Sequence, residues 1–285
     1  MRILIPGSRG FIGANLARGL AGGFTLCDDS GIDITSAADV EAGIARTAPD
    51  LVILAAGIAD IDRCEREPEL AERVNVQGAL NVARVCADHS IRLQFLSTGA
   101  VFDGARHGYA EDAPVSPVSV YGRTKVEAER AIAELAPDAA ILRLSLVLGR
   151  SARPGTNSLV DKLAESFRHG KRAVVPPDEF RNPIDAGTLT QWIAALARLP
   201  GARGIFHVGS SDSVSRWELV RQLAVSLGYS EDLVTLQAGS IPGRAPRGRD
   251  HFLISDKLAK LSGIPAPSWR QVAERCIDAI AESAV

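Results

Sequence analysis

Short apolar runs alternate with longer stretches of helical period through the first half of the chain. Residues 3–5, 24–26, 51–54, 93–96 and 140–146 are apolar and bounded by turn residues, so they read as strands. The segments between them are too long for hairpins and have the length of helices. Strands joined in this way pair in parallel, and right-handed crossovers place helices on both faces of the sheet. The expected fold class is therefore α/β, a doubly wound Rossmann-type parallel sheet. One helix start is marked at Ser36, three residues before Asp39, as in a capping box with Asp in place of Glu or Gln.

After Gly149 the alternation weakens around Pro154, Pro176, Pro177 and Pro242, with helical segments expected at 157–167, 186–199, 217–227 and 269–281. This pattern divides the chain into a part carrying the sheet, 1–150, and a smaller C-terminal α/β part, 151–285, which can send segments back to the sheet. The smaller part is expected to bind substrate across a shared cleft.

Composition narrows the class without changing the fold. The 285 residues are 46% apolar and 23% charged, ordinary values for a globular protein, and no apolar run approaches the roughly 20 residues that span a bilayer. The opening MRILIPGSRG passes straight into a strand-like run without the pattern of an export signal, so a cytoplasmic location is expected. A net charge of −2 gives no general attraction for nucleic acid or anionic membrane, and neither is expected as a partner. Cys27, Cys64, Cys86 and Cys276 lack CxxC spacing and a neighbouring His, so neither a metal site nor a disulfide framework is expected.

Gly7, Gly10 and Gly13 follow the first apolar run and open the first helix. Small residues here permit a tight turn and the close approach of a pyrophosphate to helix N-terminal amides. The expected cofactor is NAD(H) or NADP(H). Asp28 ends the second run about 20 residues later, where a carboxylate can accept hydrogen bonds from the adenosine ribose of NAD. Arg9, inside the turn, can instead pair with the 2′-phosphate of NADP, which leaves the choice open. Asp33, in Asp33-Ile34-Thr35, either lies near the adenine or starts the next helix.

Tyr121 and Lys125 are four residues apart and share one face of a helix. A phenol is a poor acid or base at neutral pH, and a nearby ammonium is expected to lower its pKa and activate it. Ser97 and Thr98 follow the fourth run, placing two hydroxyls at the carboxyl end of a strand, where open α/β sheets bind ligands and where a hydroxyl can orient a carbonyl.

With these features in place the chain resembles the extended short-chain dehydrogenases/reductases, in particular the dTDP-4-dehydrorhamnose reductase family and its sugar-nucleotide relatives. The landmarks are Gly7-Ser8-Arg9-Gly10-Phe11-Ile12-Gly13, Asp33-Ile34-Thr35, Asp62-Arg63-Cys64-Glu65, Val74-Asn75, Ser97-Thr98-Gly99-Ala100-Val101-Phe102 and Tyr121-Gly122-Arg123-Thr124-Lys125. The resemblance implies a catalytic set of Thr98, Tyr121 and Lys125, with Ser97 as an alternative hydroxyl. It places Phe11, Ile12, Ile34, Ala55, Ala56, Gly57 and Asn75 beside the cofactor, and Tyr121 and Lys125 at its nicotinamide end. On the substrate side it implies Ala100, Val101 and Phe102, with Asn157, Arg181 and Arg247 contacting the nucleotide or its diphosphate.

The implied activity is NAD(P)H-dependent reduction of a 4-keto group on a nucleotide-activated deoxysugar, by a protein that can form a homodimer. Two departures alter the expected pocket: the family's Asp-Tyr after the catalytic Thr is Gly99-Ala100 here, and its Tyr-Thr pair is Ile58-Ala59. Gly99 and Ala100 supply neither acid nor base, which argues against dehydration. Nucleotide-sugar 4-epimerisation is the second expectation, supported by Asn75-Val76-Gln77-Gly78. A non-catalytic, dinucleotide-binding regulatory subunit is the third.

Overall fold

Six strands form one parallel sheet in the order Gly204–Val208, Ala140–Leu144, Arg92–Thr98, Leu51–Leu54, Arg2–Leu4, Thr25–Leu26. The computed structural model that shows this describes residues 1–237 and 243–281, so Pro242 lies outside the described residues. The chain steps outward from the first strand to the second, then returns across the first to the third. The connection reverses between Arg2–Leu4 and Leu51–Leu54, the position at which open α/β sheets bind ligands beyond the carboxyl ends of their strands.

Because successive residues of a strand point to opposite faces, each central strand feeds two cores. Ile3, Leu51, Ile53 and Leu96 pack on one side, against Leu16 and Leu20 of the helix Phe11–Leu20 and Leu189, Ile193 and Leu196 of the helix Ala186–Arg198. Leu4, Val52, Leu54 and Phe95 pack on the other, against the helices Ala37–Thr47, Gly78–Asp88 and Val120–Leu135. Ser36 caps the first of these by accepting the Asp39 amide at 3.2 Å, as the spacing predicts.

Gly204–Val208 and Ala186–Arg198 show how the second half is tied to the sheet. Trp192, fully buried, donates its indole N–H to the Ile264 carbonyl at 3.1 Å. Truncating it to Ala costs about 3–5 kcal/mol on the scale of large-to-small core substitutions. The rest of the second half has its own core, in which Leu163 and Phe167 meet Leu219, Leu223, Trp269 and Val272. It also holds a three-stranded sheet, with Phe180–Arg181 between Val214–Ser215 and Asp250–His251.

The strand expected over 140–146 ends at Leu144. Ser145 bonds its amide to the Val208 carbonyl at 2.9 Å, and the chain then turns so that Val147–Leu148 pairs with Ile184–Asp185 in a separate ribbon. Among the described residues no helix is long and apolar enough to cross a membrane.

Candidate active site

A cleft of about 420 Å³ lies between the carboxyl ends of the sheet strands and the second half. Phe11, Ile12, Ala55, Ala56, Gly57, Asn75, Ser97, Thr98, Ala100, Tyr121 and Lys125 line it from the sheet, and Asn157, Arg181 and Arg247 from the other side. Most of the expected site residues therefore meet in one place.

The glycine turn is set by close backbone contacts. Gly7 has φ +95°, and a Cβ there would stand 2.4 Å from the Ala56 nitrogen; one on Gly13 would stand 2.2 Å from the Gly7 oxygen. Gly10 is freer, with its nearest contact at 3.5 Å, and caps the helix without a side-chain bond. The amides at the start of this ten-residue helix are thus left to a ligand. This cradle, which a Cβ would fill at two positions, fits a dinucleotide pyrophosphate.

The carboxylate that touches the glycine turn is Asp29, which sequence reasoning passed over for its neighbour: it accepts from the Ser8 amide at 3.1 Å and hydroxyl at 2.6 Å. Asp28 is turned to Ser30, at 2.6 Å, and to Arg46, at 3.7 Å, while Arg9 is exposed. Asp33 is exposed and binds the Thr35 amide and hydroxyl in a local turn, while Ile34 is buried in the core beside Gly78.

Asn75 lies in a π-helical turn, Arg73–Gln77, that points its amide into the protein. Its Oδ1 accepts from the Ile58 amide at 2.8 Å and its Nδ2 donates to the Ile58 carbonyl at 3.0 Å and Thr124 Oγ1 at 3.2 Å. It therefore fixes the loop after the third strand to the helix that bears Tyr121.

That helix, Val120–Leu135, is capped by Ser119 Oγ, which accepts the Gly122 amide at 3.1 Å, and by Glu65, which accepts the Val120 amide at 3.0 Å. Gly122 is required for its approach, because a Cβ there would stand 2.3 Å from the Ala100 oxygen. Lys125 is buried, donates to the Leu96 carbonyl at 2.6 Å and lies 4.0 Å from the centre of the Phe95 ring. Burial lowers its pKa to about 8, against the opposing charge of Glu129.

Tyr121 does not show the lowered pKa expected of it. Burial pushes it up to about 12, the Thr98 hydroxyl being the only influence that pulls it down. The phenol is therefore protonated at neutral pH, the state a proton donor needs. Thr98 is half-buried and holds the Ala100 amide at 3.1 Å, whereas Ser97 is buried with its hydroxyl committed to Glu129 at 2.5 Å.

Val101 and Phe102 correct the sequence expectation. Both are fully buried, Phe102 stacks on Tyr109 at 4.2 Å between centroids, and neither reaches the cleft. The 3₁₀ turn Gly99–Val101 sends the chain inward after Thr98, leaving Gly99 and Ala100 to line the cleft.

On the far side, Arg247 holds Asp62 bidentately, with both contacts at 2.9 Å. Arg181 donates to the Phe180, Arg249 and Gly248 carbonyls at 2.6, 3.1 and 3.1 Å. Asn157 is exposed at the rim. The small sheet adds residues that spacing did not reveal. Arg216 and His251 line the cleft, with Arg216 Nε and His251 Nε2 buried and unpartnered, and buried Glu179 faces Arg181 at 3.7 Å, Arg216 at 3.8 Å and Arg244. Four guanidiniums, of Arg181, Arg216, Arg244 and Arg247, thus meet the carboxylates of Glu179 and Asp62, with Asp250 also acting on Arg181, so positive groups outnumber negative ones.

The RmlD substrate binding domain profile matches residues 1–282. The chain belongs to that family. It is an oxidoreductase of the extended short-chain dehydrogenase/reductase type. It is 35% identical over 274 residues to a dTDP-4-keto-6-deoxy-D-glucose reductase of Streptomyces niveus, covering 94% of this chain and 93% of that one. It is 30% identical over 276 residues to a probable dTDP-4,6-dihydroxy-2-methyloxan-3-one 4-ketoreductase of Streptomyces antibioticus, covering 95% and 92%. Among solved structures, a Bacillus anthracis dTDP-4-dehydrorhamnose reductase in complex with NADP superposes with a TM-score of 0.86 at 26% identity, over 96% of this chain and 97% of that one. A UDP-glucose 4-epimerase of Thermotoga maritima, at a TM-score of 0.84 and 18% identity over the whole of both chains, shares the family's fold.

Proposed function

We propose that the protein reduces the 4-keto group of a nucleotide-activated deoxysugar with NAD(P)H. The observation that carries this reading is the meeting, in one cleft, of a dinucleotide cradle, a protonated phenol and an arginine-rich wall. The relatives named above, reductases of dTDP-linked keto sugars over nearly the full length of both chains, support it.

Residues 1–150 bind the dinucleotide, with Gly7, Gly10, Gly13 and the amides of Phe11 and Ile12 at its phosphates. Asp28, Asp29 and Arg9 face its adenosine end, and Ala55, Ala56 and Gly57 its central stretch. The bound dinucleotide supplies the hydride. Thr98 hydrogen-bonds the substrate carbonyl, and Tyr121 protonates the alkoxide that develops there. Lys125 supplies a positive charge on the same face of the helix, four residues after the phenol. Most of 151–285 binds substrate: Arg181, Arg216 and Arg247 contact the diphosphate and Asn157 the nucleotide, guanidinium forks suiting phosphate geometry.

Epimerisation would require the same hydride to return to the opposite face with no net consumption of reduced cofactor. The deciding assay mixes the protein with NADPH or NADH and dTDP-4-keto-6-deoxyglucose and follows absorbance of the reduced nicotinamide. Stoichiometric loss that vanishes in Tyr121→Phe is expected. Tight cofactor binding with no loss of absorbance would overturn the reading.

A further inference from the structure

Tyr121, Lys125 and Glu129 follow one another at four-residue intervals along the helix Val120–Leu135, yet the mechanism uses only the first two. Glu129 is 5% exposed, and a buried carboxylate is costly unless it is paired and hydrogen-bonded. Its partners are specific. Arg143, 3% exposed on the strand Ala140–Leu144, donates through Nε at 3.0 and 3.1 Å and through its terminal nitrogen at 2.7 Å. Ser97 donates its hydroxyl at 2.5 Å from the strand Arg92–Thr98. The next residue back on that strand, Leu96, gives Lys125 its carbonyl at 2.6 Å, and the next one forward is Thr98.

One carboxylate thus joins the helix of the tyrosine–lysine pair to the strand of the threonine and to the strand beyond it. We propose that Glu129 is a positioning residue for the Thr98–Tyr121–Lys125 set: anchored by Arg143 and Ser97, it fixes the helix against the two strands and stabilises the Lys125 ammonium. The inference rests on the catalytic reading of that set given above.

The neighbours of Lys125 make Glu129 the anion that matters. On its own helix stand Tyr121 and Glu129; the helix Ile61–Arg66 brings Cys64, whose thiol burial pushes up to about 11 and so keeps neutral; the central strand brings the Phe95 ring and the Leu96 carbonyl. Arg143 is bonded to the Glu129 carboxylate at 2.7 Å, and the charge of Glu129, four residues along the helix, raises the Lys125 pKa against burial. Removing that charge deprives the ammonium of its support and makes it lose its proton at lower pH.

The test measures Lys125 directly by NMR titration of labelled lysine side chains, a tractable set because the chain has five lysines. Lys125 is assigned by its loss in Lys125→Met. Glu129→Gln is the first variant, and Glu129→Gln/Arg143→Met the second, which removes both charges so that no buried cation is stranded. In either folded variant the Lys125 midpoint should fall, by about one pH unit in Glu129→Gln/Arg143→Met and by more in Glu129→Gln, where the Arg143 cation is left unpaired, while the other four lysines stay put. In the reductase assay the alkaline limb should move down by the same amount, with cofactor affinity unchanged within about twofold. A uniform loss of rate with an unmoved Lys125 midpoint would reduce Glu129 to a structural role and overturn the proposal. Tyr121→Phe in the same assay separates the two failures: an active Tyr121→Phe variant sinks the catalytic reading, whereas an inactive one beside unchanged Glu129 variants sinks this inference alone.

Discussion

At the sheet end of the cleft Thr98, Tyr121 and Lys125 come from one strand and the helix that follows it, with Lys125 buried and the Thr98 and Lys125 side chains bonded to nearby backbone. At the other end Asp62, Arg181, Arg216 and Arg247 come from four separate segments and carry charge that is only partly balanced. The first arrangement suits a proton step, which needs a fixed, water-poor geometry. The second suits holding an anion, which needs field and forked donors more than precision. A substrate with a reactive carbonyl at one end and a diphosphate at the other matches both.

The contrast breaks most visibly at Tyr121. Tyr121→Phe should lower turnover by at least roughly 100-fold while leaving cofactor affinity near normal, as stopped-flow rates and fluorescence titration would show. Gly13→Ala comes next, because its Cβ would meet the Gly7 oxygen at 2.2 Å. It should weaken NADH or NADPH binding by roughly tenfold or more, whereas Gly10→Ala, with 3.5 Å of clearance, should stay within about twofold; equal effects would mean that the turn yields. Arg216→Met should act at the opposite end, raising KM for the nucleotide sugar roughly tenfold with kcat largely kept.

The smallest effect is on stability. The Arg247 hydrogen bond holds the Asp62 carboxyl below its usual pKa, and in Glu179 burial is outweighed by the Arg244 hydrogen bond and the charges of Arg181, Arg244 and Arg216. Carboxyls lowered on folding stabilise above their unfolded pKa of about 4 and lose that contribution as pH falls through the folded values. Tm should therefore drop as pH is taken below about 4, and Asp62→Asn should flatten the drop in calorimetric scans.

The same contrast explains what was legible in the sequence. The glycine turn, the Ser97-Thr98 strand end and the Tyr121–Lys125 helix are short-range patterns whose spacing fixes their geometry. Arg216 and His251 have no such signature, because they reach the cleft only when Val214–Ser215, Phe180–Arg181 and Asp250–His251 pair. Arg181 and Arg247 were reached through resemblance. That Asp29 joins Asp28 at this turn depends on backbone direction after Thr25–Leu26, which apolar pattern does not encode. Val101 and Phe102 were misplaced because a single 3₁₀ turn decides whether the residues after Thr98 face ligand or core.

The late return of Gly204–Val208 to the sheet bears on synthesis. Ala140–Leu144 is made early, yet the strand that covers its outer edge emerges only after some sixty more residues. At ribosomal speeds of about 5–20 residues per second, the nascent chain exposes an apolar strand edge for about 3–12 seconds. During that interval the unfinished protein is open to pairing with its neighbours, so slowing translation between these two strands should lower the yield of soluble enzyme.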